Sequence, residues 1–283
     1  MPGGFFSGPK PRIFGHRGAM GEYSENTLLS FERALDSGAT CLETDIHASR
    51  DGRLVLLHDE TLERTTNGCG PLKQCTLAEL KSLDAGYGFS PDGGKSHPFR
   101  GAGLRIPTLE EFFSRFPGVK VTLEIKQAEP PIEQPLLDLV ARMGRLKDVL
   151  IASEVDVIMK RVRRLGLDVA TSFSAVEVAV FVEEMKEPAS APPPAPGQAL
   201  QVPPTWGGVP LVTESFVSAA HGRAVEVHVW TVNEVAEMKR LLDLGVDGIM
   251  TDFPGRLKAL LGSLSPRPLP LEGGEDSGRG FAR

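Results

Sequence analysis

The sequence predicts an α/β fold, a (β/α)8 TIM barrel with a long excursion between the second strand region and the following helix. Short segments rich in Val, Ile and Leu alternate with amphipathic segments along the chain. This alternation is typical of parallel strands with crossover helices rather than of a sandwich. Eight strand-like segments can be counted, and 283 residues with 41% hydrophobic composition suffice for one barrel with a single large core.

The predicted elements follow in the order that a barrel requires. The first helix is expected over residues 26–37, with Asn26 as N-cap and Gly38 at its C-terminal stop. Asp51-Gly52 is a hairpin signal that leads into a short apolar run at residues 54–57. The eight strands are expected at residues 12–16, 41–47, 119–125, 149–152, 169–172, 199–202, 225–230 and 248–251, of which the sixth has the weakest pattern.

Residues 12–262 are expected to form the barrel domain, and residues 263–283 a disordered tail. Two segments interrupt the alternation. Residues 60–107 precede a helix at residues 108–116, so they should lie on the C-terminal face of the barrel, where active sites sit. Their aromatic residues and one histidine are expected to help cover the site: Tyr87, Phe89, His97 and Phe99. The Pro-rich residues 188–196 should form a stiff spacer on the opposite face.

Composition limits the partners. With 31 basic and 37 acidic residues the net charge is −6, which argues against a nucleic-acid surface, so any phosphate must be bound by a local site. No apolar run approaches the roughly 18 residues of a membrane span, and no secretion signal is evident, so a cytoplasmic location is expected. Cys69 and Cys75 bracket a loop and could pair if oxidised, but a cytoplasmic chain keeps its thiols reduced. No pattern indicates the oligomeric state.

Three carboxylates and a lysine occur near the ends of two predicted strands. Residues two apart on a strand share a face, so Glu43 pairs with Asp45, and Glu124 with Lys126. If these faces meet inside the barrel, two carboxylates about 4 Å apart repel by about 4 kcal/mol at an effective dielectric near 20, which favours a bound proton or cation. Oxygen ligands favour Mg²⁺ or Ca²⁺. The alternative is a set of surface carboxylates in ordinary ion pairs.

Two histidines also follow predicted strands. His16 is flanked by glycines, and the adjacent Arg17 can hold phosphate oxygens through two hydrogen bonds. His58 follows another apolar run and can supply a second proton-transfer group. A cation, Arg17 and Lys126 would neutralise phosphoryl oxygens, while the histidines activate a nucleophile and protonate a leaving alkoxide. These groups suit cleavage of a phosphodiester, although single histidines are more often structural.

An ordered set of motifs makes a resemblance specific. The chain contains HRG, ENT, E-x-D, HDE-x-L-x-R-T-T-x-G, EIK, WTVN and DGIMTDFP. In this order, from about residue 12 to 261, it resembles the glycerophosphodiester phosphodiesterase family. The resemblance implies a (β/α)8 barrel in which Glu43, Asp45 and Glu124 hold a divalent cation and His16 and His58 are the acid and base. It also implies that Arg17 and Lys126 contact phosphate and that Trp230 faces the substrate; on sequence alone a core tryptophan is about as likely.

The remaining motif residues receive structural roles. Asn26 and Asn233 are interpreted as helix N-caps, Asp252 with Pro254 as the start of the last helix, and Glu25, Arg64 and Thr65 as braces of the loops around the site. His47, two residues beyond Asp45, is an uncertain addition to the site.

The resemblance leaves three functions open. The first is hydrolysis of a small glycerophosphodiester to an alcohol and glycerol 3-phosphate. The second is hydrolysis of lysophospholipids to lysophosphatidic acid, since residues 200–206 resemble the lysophospholipid-cleaving branch and Trp206 would lie on the active face. The third is an inert phosphate-binding barrel, which would not need two proton-transfer groups.

Overall fold

The computed structural model describes residues 4–186 and 194–264. Strands and helices alternate through both ranges. The strands are β1 (Arg12–Gly15), β2 (Cys41–Ala48), β3 (Leu54–Leu56), β4 (Lys120–Ile125), β5 (Val149–Ala152), β6 (Ala170–Thr171), β7 (Ala199–Val202), β8 (Thr205–Trp206), β9 (Val209–Pro210), β10 (Glu226–Val229) and β11 (Gly248–Thr251). The helices are α1 (Leu28–Asp36), α2 (Leu77–Ser82), α3 (Leu109–Arg115), α4 (Glu133–Arg142), α5 (Asp156–Arg164), α6 (Ala175–Lys186), α7 (Glu214–Gly222), α8 (Val235–Asp243) and α9 (Pro254–Leu264), with a 3₁₀ turn at Leu72–Gln74.

Eight parallel strands form the barrel, in the order β6-β5-β4-β2-β1-β11-β10-β7. The two ends of this order meet through a single parallel bridge between Ser172 and Ala199. There the amide of Phe173 donates to the carbonyl of Ala199 at 3.0 Å, and the amide of Gln198 donates to the carbonyl of Thr171 at 2.8 Å. The predicted (β/α)8 barrel is therefore confirmed, including its sixth strand, and its weakest seam lies between β6 and β7.

The helices bury their apolar faces against the outside of the barrel. In α1, Phe31 and Ala34 are fully buried, and Phe31 packs edge to face on Phe112 of α3 at 4.9 Å. The helix begins one or two residues later than predicted. Its N-cap is Thr27, whose hydroxyl accepts from the amide of Ser30, so the prediction of Asn26 as N-cap is wrong.

The N-terminal end of the barrel is closed by residues 4–11. Phe5 is buried and stacks on Phe14 of β1 at 6.4 Å. Arg12 is also buried, and it donates to both oxygens of Glu226 at 2.9 Å and to the carbonyls of Phe6 and Ser7. These contacts form a plug at the N-terminal end of the barrel, and the site residues considered below lie at the opposite, C-terminal end.

The excursion predicted at residues 60–107 forms a small second core. Val55, Leu62, Leu72, Leu80 and Ile106 are buried together in it. The hairpin predicted at Asp51-Gly52 joins β2 to the antiparallel β3, which carries the chain toward this core. The Pro-rich spacer falls largely, and the predicted tail almost entirely, outside the described residues. Cys69 and Cys75 are both free thiols.

Candidate active site

A cavity of about 580 Å³ opens at the C-terminal end of the barrel. The predicted site residues share this location. Seven of them line the cavity: His16, Arg17, His58, Glu43, Glu124, Lys126 and Trp230. Asp45 is buried below them and lies 3.3 Å from Nε of Arg17 and 3.5 Å from Nζ of Lys126. The barrel thus brings together residues from five separate stretches of sequence.

His16 follows β1 at a point where the backbone is tightly packed. A Cβ atom on Gly15 would lie 2.7 Å from Cβ of Ala34, so glycine allows α1 to approach the strand end. The imidazole Nδ1 lies 2.7 Å from Oδ1 of Asp252. Because an ionised carboxylate only accepts, Nδ1 carries the proton and Nε2 remains for a ligand. Burial alone would lower the pKa of His16, but this hydrogen bond and the charge of Glu43 outweigh it and raise the pKa.

His58 is held in a similar way but by a charged pair. Its Nδ1 lies 2.6 Å from Oδ1 of Asp59. Arg64 donates to both oxygens of Asp59, at 2.6 and 3.0 Å. These bonds from Arg64, and then that from His58, hold the pKa of Asp59 well below its usual range, so the carboxylate stays ionised and fixes the ring.

The three carboxylates converge where β2 and β4 lie side by side. Asp45 pairs with Glu124 in the strand register, and ligand oxygens of Glu43, Asp45 and Glu124 all lie within 4.8 Å of one another. Burial and the neighbouring charge of Asp45 raise the pKa of Glu43 to about 8. Burial opposes ionisation of Asp45 as well, but Arg17 and then Lys126 hold its pKa below the usual range.

This cluster fits a metal ion on the evidence of its own atoms. Asp45 Oδ1 is buried and accepts no hydrogen bond from the described residues, although the ammonium of Lys126 lies 3.5 Å away. A buried carboxylate oxygen that accepts no hydrogen bond is costly, and a metal cation would offset that cost. All of the available ligand atoms are carboxylate oxygens, which suit a hard divalent cation such as Mg²⁺ or Ca²⁺.

Two cations border the carboxylates. Lys126 Nζ lies 2.7 Å from Oε1 of Glu124. Arg17 has a φ of 49°, its amide donates to Oε2 of Glu43 at 2.9 Å, and its guanidinium donates to Glu25. Glu25 also accepts from Arg64 at 2.5 and 2.8 Å. The predicted bracing role of Glu25 and Arg64 is confirmed, and their ion pairs connect Arg17 to the carboxylate that holds His58.

Three polar residues were assigned to helix ends but lie in the site network. Asn26, at φ 53°, donates to Oδ2 of Asp45 at 2.9 Å and accepts from Thr44. Asn233 donates to Oδ2 of Asp252 at 2.6 Å, whereas the N-cap of α8 is Glu234. The N-cap predictions for both asparagines are wrong. Pro254 does begin α9, but Asp252 orients His16, a role that the sequence analysis missed.

His47 lies two residues beyond Asp45, and the sequence left open whether it belongs to the site. It is buried on β2, and its Nε2 lies 3.2 Å from the carbonyl of His58. Burial lowers its pKa, so the ring is neutral and donates to that carbonyl. His47 therefore supports the backbone at His58 and does not line the cavity.

One wall of the cavity is apolar. Val178 and Val182 of α6 face it, together with Trp206 and Leu211 from the β8–β9 segment. The expected aromatic cover from the excursion is wrong, because Tyr87, Phe89 and Phe99 are absent from the lining. They pack on one another and on their surroundings instead: Phe99 contacts Phe89 at 5.2 Å and Tyr23 at 5.8 Å, Arg100 covers Tyr87, and His97 bonds the carbonyl of Phe89.

Trp230 directly follows β10 and lines the cavity. It is partly buried and packs against the interior core cluster that contains Phe14 and Met250, so it belongs both to the core and to the cavity. Across the described residues, no helix is both long and apolar enough to cross a membrane.

Comparisons with known proteins agree with this geometry. A family model described as the glycerophosphoryl diester phosphodiesterase family matches residues 16–256. A glycerophosphodiester phosphodiesterase of Bacillus altitudinis is 33% identical over 256 residues, which cover 87% of this chain and 96% of that protein. A human lysophospholipase D is 28% identical over 275 residues, which cover 88% of this chain and 86% of that protein. An Oleispira antarctica phosphodiesterase, solved with the product sn-glycerol-3-phosphate, superposes with a TM-score of 0.71 at 26% identity, covering 89% and 97% of the two chains.

Proposed function

Because this chain belongs to the glycerophosphoryl diester phosphodiesterase family and is thus a phosphoric diester hydrolase, we propose that it hydrolyses glycerophosphodiesters to an alcohol and glycerol 3-phosphate with a divalent cation. One observation carries the proposal: two histidines held by carboxylates, two basic side chains and two of three clustered carboxylates line one cavity, with the third carboxylate, Asp45, buried beside them. Family membership also sets aside the alternative of an inert phosphate-binding barrel.

The carboxylates of Glu43, Asp45 and Glu124 would hold the cation. Their convergence, the raised pKa of Glu43 and the buried oxygen of Asp45 that accepts no hydrogen bond support this assignment. Such a cation supplies positive charge to the phosphoryl oxygens. Either Mg²⁺ or Ca²⁺ is consistent with oxygen ligands.

Arg17 and Lys126 are the proposed phosphate contacts. Both cations stand at the cavity wall, and hydrogen bonds to neighbouring carboxylates fix their positions before substrate arrives. A preorganised cation stabilises developing charge without having to move at the moment of reaction. Trp230, which lines the cavity, is proposed to face the glycerol or alcohol part of the substrate.

His16 and His58 are the proposed proton-transfer pair. Each ring is held at Nδ1 by an aspartate, so each presents Nε2 to the cavity. One imidazole accepts a proton from the attacking water while the other, protonated, donates one to the departing alkoxide. The bond from the water oxygen to phosphorus forms as the P–O bond to the alcohol breaks, which leaves glycerol 3-phosphate and the free alcohol, and the two rings exchange protonation states.

Product analysis tests the function. The purified enzyme should convert glycerophosphocholine and glycerophosphoethanolamine to sn-glycerol 3-phosphate, detected with a coupled dehydrogenase. Release of phosphocholine, or no product in the presence of Mg²⁺ or Ca²⁺, would contradict the proposal. Lys239→Ala, on the exposed surface of α8, is a matched control for handling.

Lysophospholipids are a second candidate substrate class. The apolar cavity wall favours them, because a small polar diester offers no apolar surface to Val178, Val182 and Leu211. The human lysophospholipase D is a relative of this chain over most of its length. Lysophosphatidylcholine should then be cleaved to lysophosphatidic acid in a parallel assay, and the ratio of the two kcat/KM values decides which class is preferred.

A further inference from the structure

An exposed apolar surface borders the mouth of the cavity. We call it the apolar rim and define it by Val176 and Val180 of α6 and by Trp206 and Val209 of the β8–β9 hairpin. These side chains are 54%, 52%, 68% and 66% exposed. Trp206 and Val209 line the cavity, and Val176 and Val180 each follow a lining residue of α6, Ala175 and Ala179. Single exposed apolar residues are common, but four on two elements that border one cavity indicate a contact surface.

Helix α6 has more apolar surface than the barrel can cover. Phe181 packs into the core against Phe173 at 6.1 Å and Phe216 at 5.3 Å. A second strip, which includes Val178 and Val182, lines the cavity. Val176 and Val180, one turn apart, form a third strip that faces water. A helix packed on one core needs one apolar strip, so the exposed strip of Val176 and Val180 is more apolar surface than packing on the barrel requires.

The hairpin presents its apolar residues outward. Gly207 and Gly208 have φ values of 57° and 80°, the combination that a tight two-residue hairpin turn requires. At the base of the hairpin, the amides of Leu211 and Val212 donate to the carbonyl of Pro204 at 3.0 and 3.2 Å. A fixed hairpin that ends in an exposed tryptophan suits a membrane–water interface, where indole rings partition favourably.

The charged residues beside the apolar rim indicate which kind of lipid surface it would contact. Glu154 and Glu183 line the cavity mouth and are exposed. The nearby cation of α6, Lys186, is already paired with Glu183 at 2.7 Å. Carboxylates beside an apolar patch repel anionic lipid but match the outward ammonium groups of phosphocholine or phosphoethanolamine.

We propose that the apolar rim docks the enzyme on a zwitterionic lipid surface. This inference rests on the lysophospholipid form of the proposed function. The rim is continuous with the apolar wall of the cavity, since Trp206 and Val209 belong to both. A lysophospholipid can therefore pass from a bilayer or micelle into the cavity with its acyl chain in contact with apolar side chains throughout.

Vesicle sedimentation tests the docking. Full-length enzyme should co-sediment with dioleoylphosphatidylcholine vesicles, and the double variant Val176→Asp/Val180→Asp should bind on the order of ten-fold more weakly. Leu167→Asp is the matched control, because Leu167 is an exposed apolar residue in the loop between α5 and β6, at the opposite end of the barrel. Neither Val176 nor Val180 lines the cavity, so the double variant should turn over glycerophosphocholine at the wild-type rate.

Fluorescence supplies a second measurement. The chain has two tryptophans, so Trp230→Phe leaves Trp206 as the only one. Its emission should shift to the blue on vesicles and be quenched by brominated phosphatidylcholine.

The docking proposal would be overturned if the wild-type enzyme does not bind vesicles, or if Leu167→Asp weakens binding as much as the double variant does. It would also be overturned by binding to phosphatidylglycerol vesicles alone, or by a dimer in light scattering that the double variant dissociates. If the wild-type enzyme does not hydrolyse glycerophosphocholine, the result instead contradicts the proposed function.

Discussion

Asp252→Asn should impair catalysis by disturbing His16 while leaving the fold intact. Oδ2 of Asp252 accepts from Asn233 at 2.6 Å, so the new amide keeps its oxygen on that side and turns its NH₂ group toward Nδ1 of His16. Nδ1 then has to accept, and the proton moves to Nε2, the atom proposed to exchange protons with substrate. The lost 2.7 Å hydrogen bond to a charged group is worth roughly 1.5–3 kcal/mol. If the transition state needs the bond, kcat falls about ten- to a hundredfold.

The pH profile makes this prediction specific. The Asp252 carboxylate raises the pKa of His16 against the effect of burial, so removing its charge should move the His16 limb of the kcat/KM profile to lower pH. The assay is glycerophosphocholine turnover from pH 5 to 9, with Asp243→Asn, an exposed partner of Lys239, as the control. An unchanged kcat and an unmoved limb in a folded Asp252→Asn enzyme would refute the reasoning that Asp252 sets the state of His16.

Three further predictions concern the proton-transfer pair, the apolar wall and the plug of the barrel. His16→Ala and His58→Ala should each lower kcat by a factor on the order of 10² to 10⁴, with product binding little changed. If either variant keeps a kcat near that of the wild type in assays of glycerol 3-phosphate release, that histidine has a structural role and does not transfer protons. Trp206→Ala should reduce kcat/KM for lysophosphatidylcholine relative to kcat/KM for glycerophosphocholine. If the ratio of these two values is unchanged at equal folded fraction, lysophospholipids are not the preferred substrate class. Glu226→Gln should lower the free energy of unfolding in urea by about 3–5 kcal/mol, because it leaves the buried Arg12 without its carboxylate; a loss below about 1 kcal/mol would contradict this.

The barrel was predictable because each strand carries its own local pattern. Even β7 (Ala199–Val202), the weakest, has a short apolar run, and its backbone pairs fully with β10. The predicted strand at residues 169–172 shrinks to Ala170–Thr171, since beyond Thr171 the ladder continues only as the single bridge of Ser172 to Ala199. Strand existence follows from residue pattern, whereas strand ends depend on neighbours that the pattern does not specify.

The site was predictable where partners are close in sequence. Glu43 and Asp45 share a strand face, as their two-residue spacing predicts, and their carboxylates converge. The role of Asp59 in holding His58 was not predicted, although the two residues are neighbours. Asp252 was missed because it meets His16 across 236 positions of the chain. Aromatic composition alone also misplaced residues of the excursion, because it does not distinguish rings that line a cavity from rings that pack on one another.

Asn26 shows how a correct local preference leads to a wrong role. Asparagine favours helix N-caps, and Thr27 beside it satisfies that requirement equally well. Asparagine also tolerates positive φ, which is the conformation that Asn26 adopts. The side chain is thereby free to bond Asp45, a contact between two separate segments that no local pattern reports.

The central claim is that Glu43, Asp45 and Glu124 hold a divalent cation that turnover requires. The most direct measurement is glycerophosphocholine hydrolysis by enzyme stripped with EDTA, followed by titration with Mg²⁺ or Ca²⁺ and metal analysis of the same sample. We expect no turnover after stripping, recovery to the original rate on titration, and weakened recovery in Glu43→Gln. Full activity in excess EDTA, with no metal in the purified protein, would contradict the account.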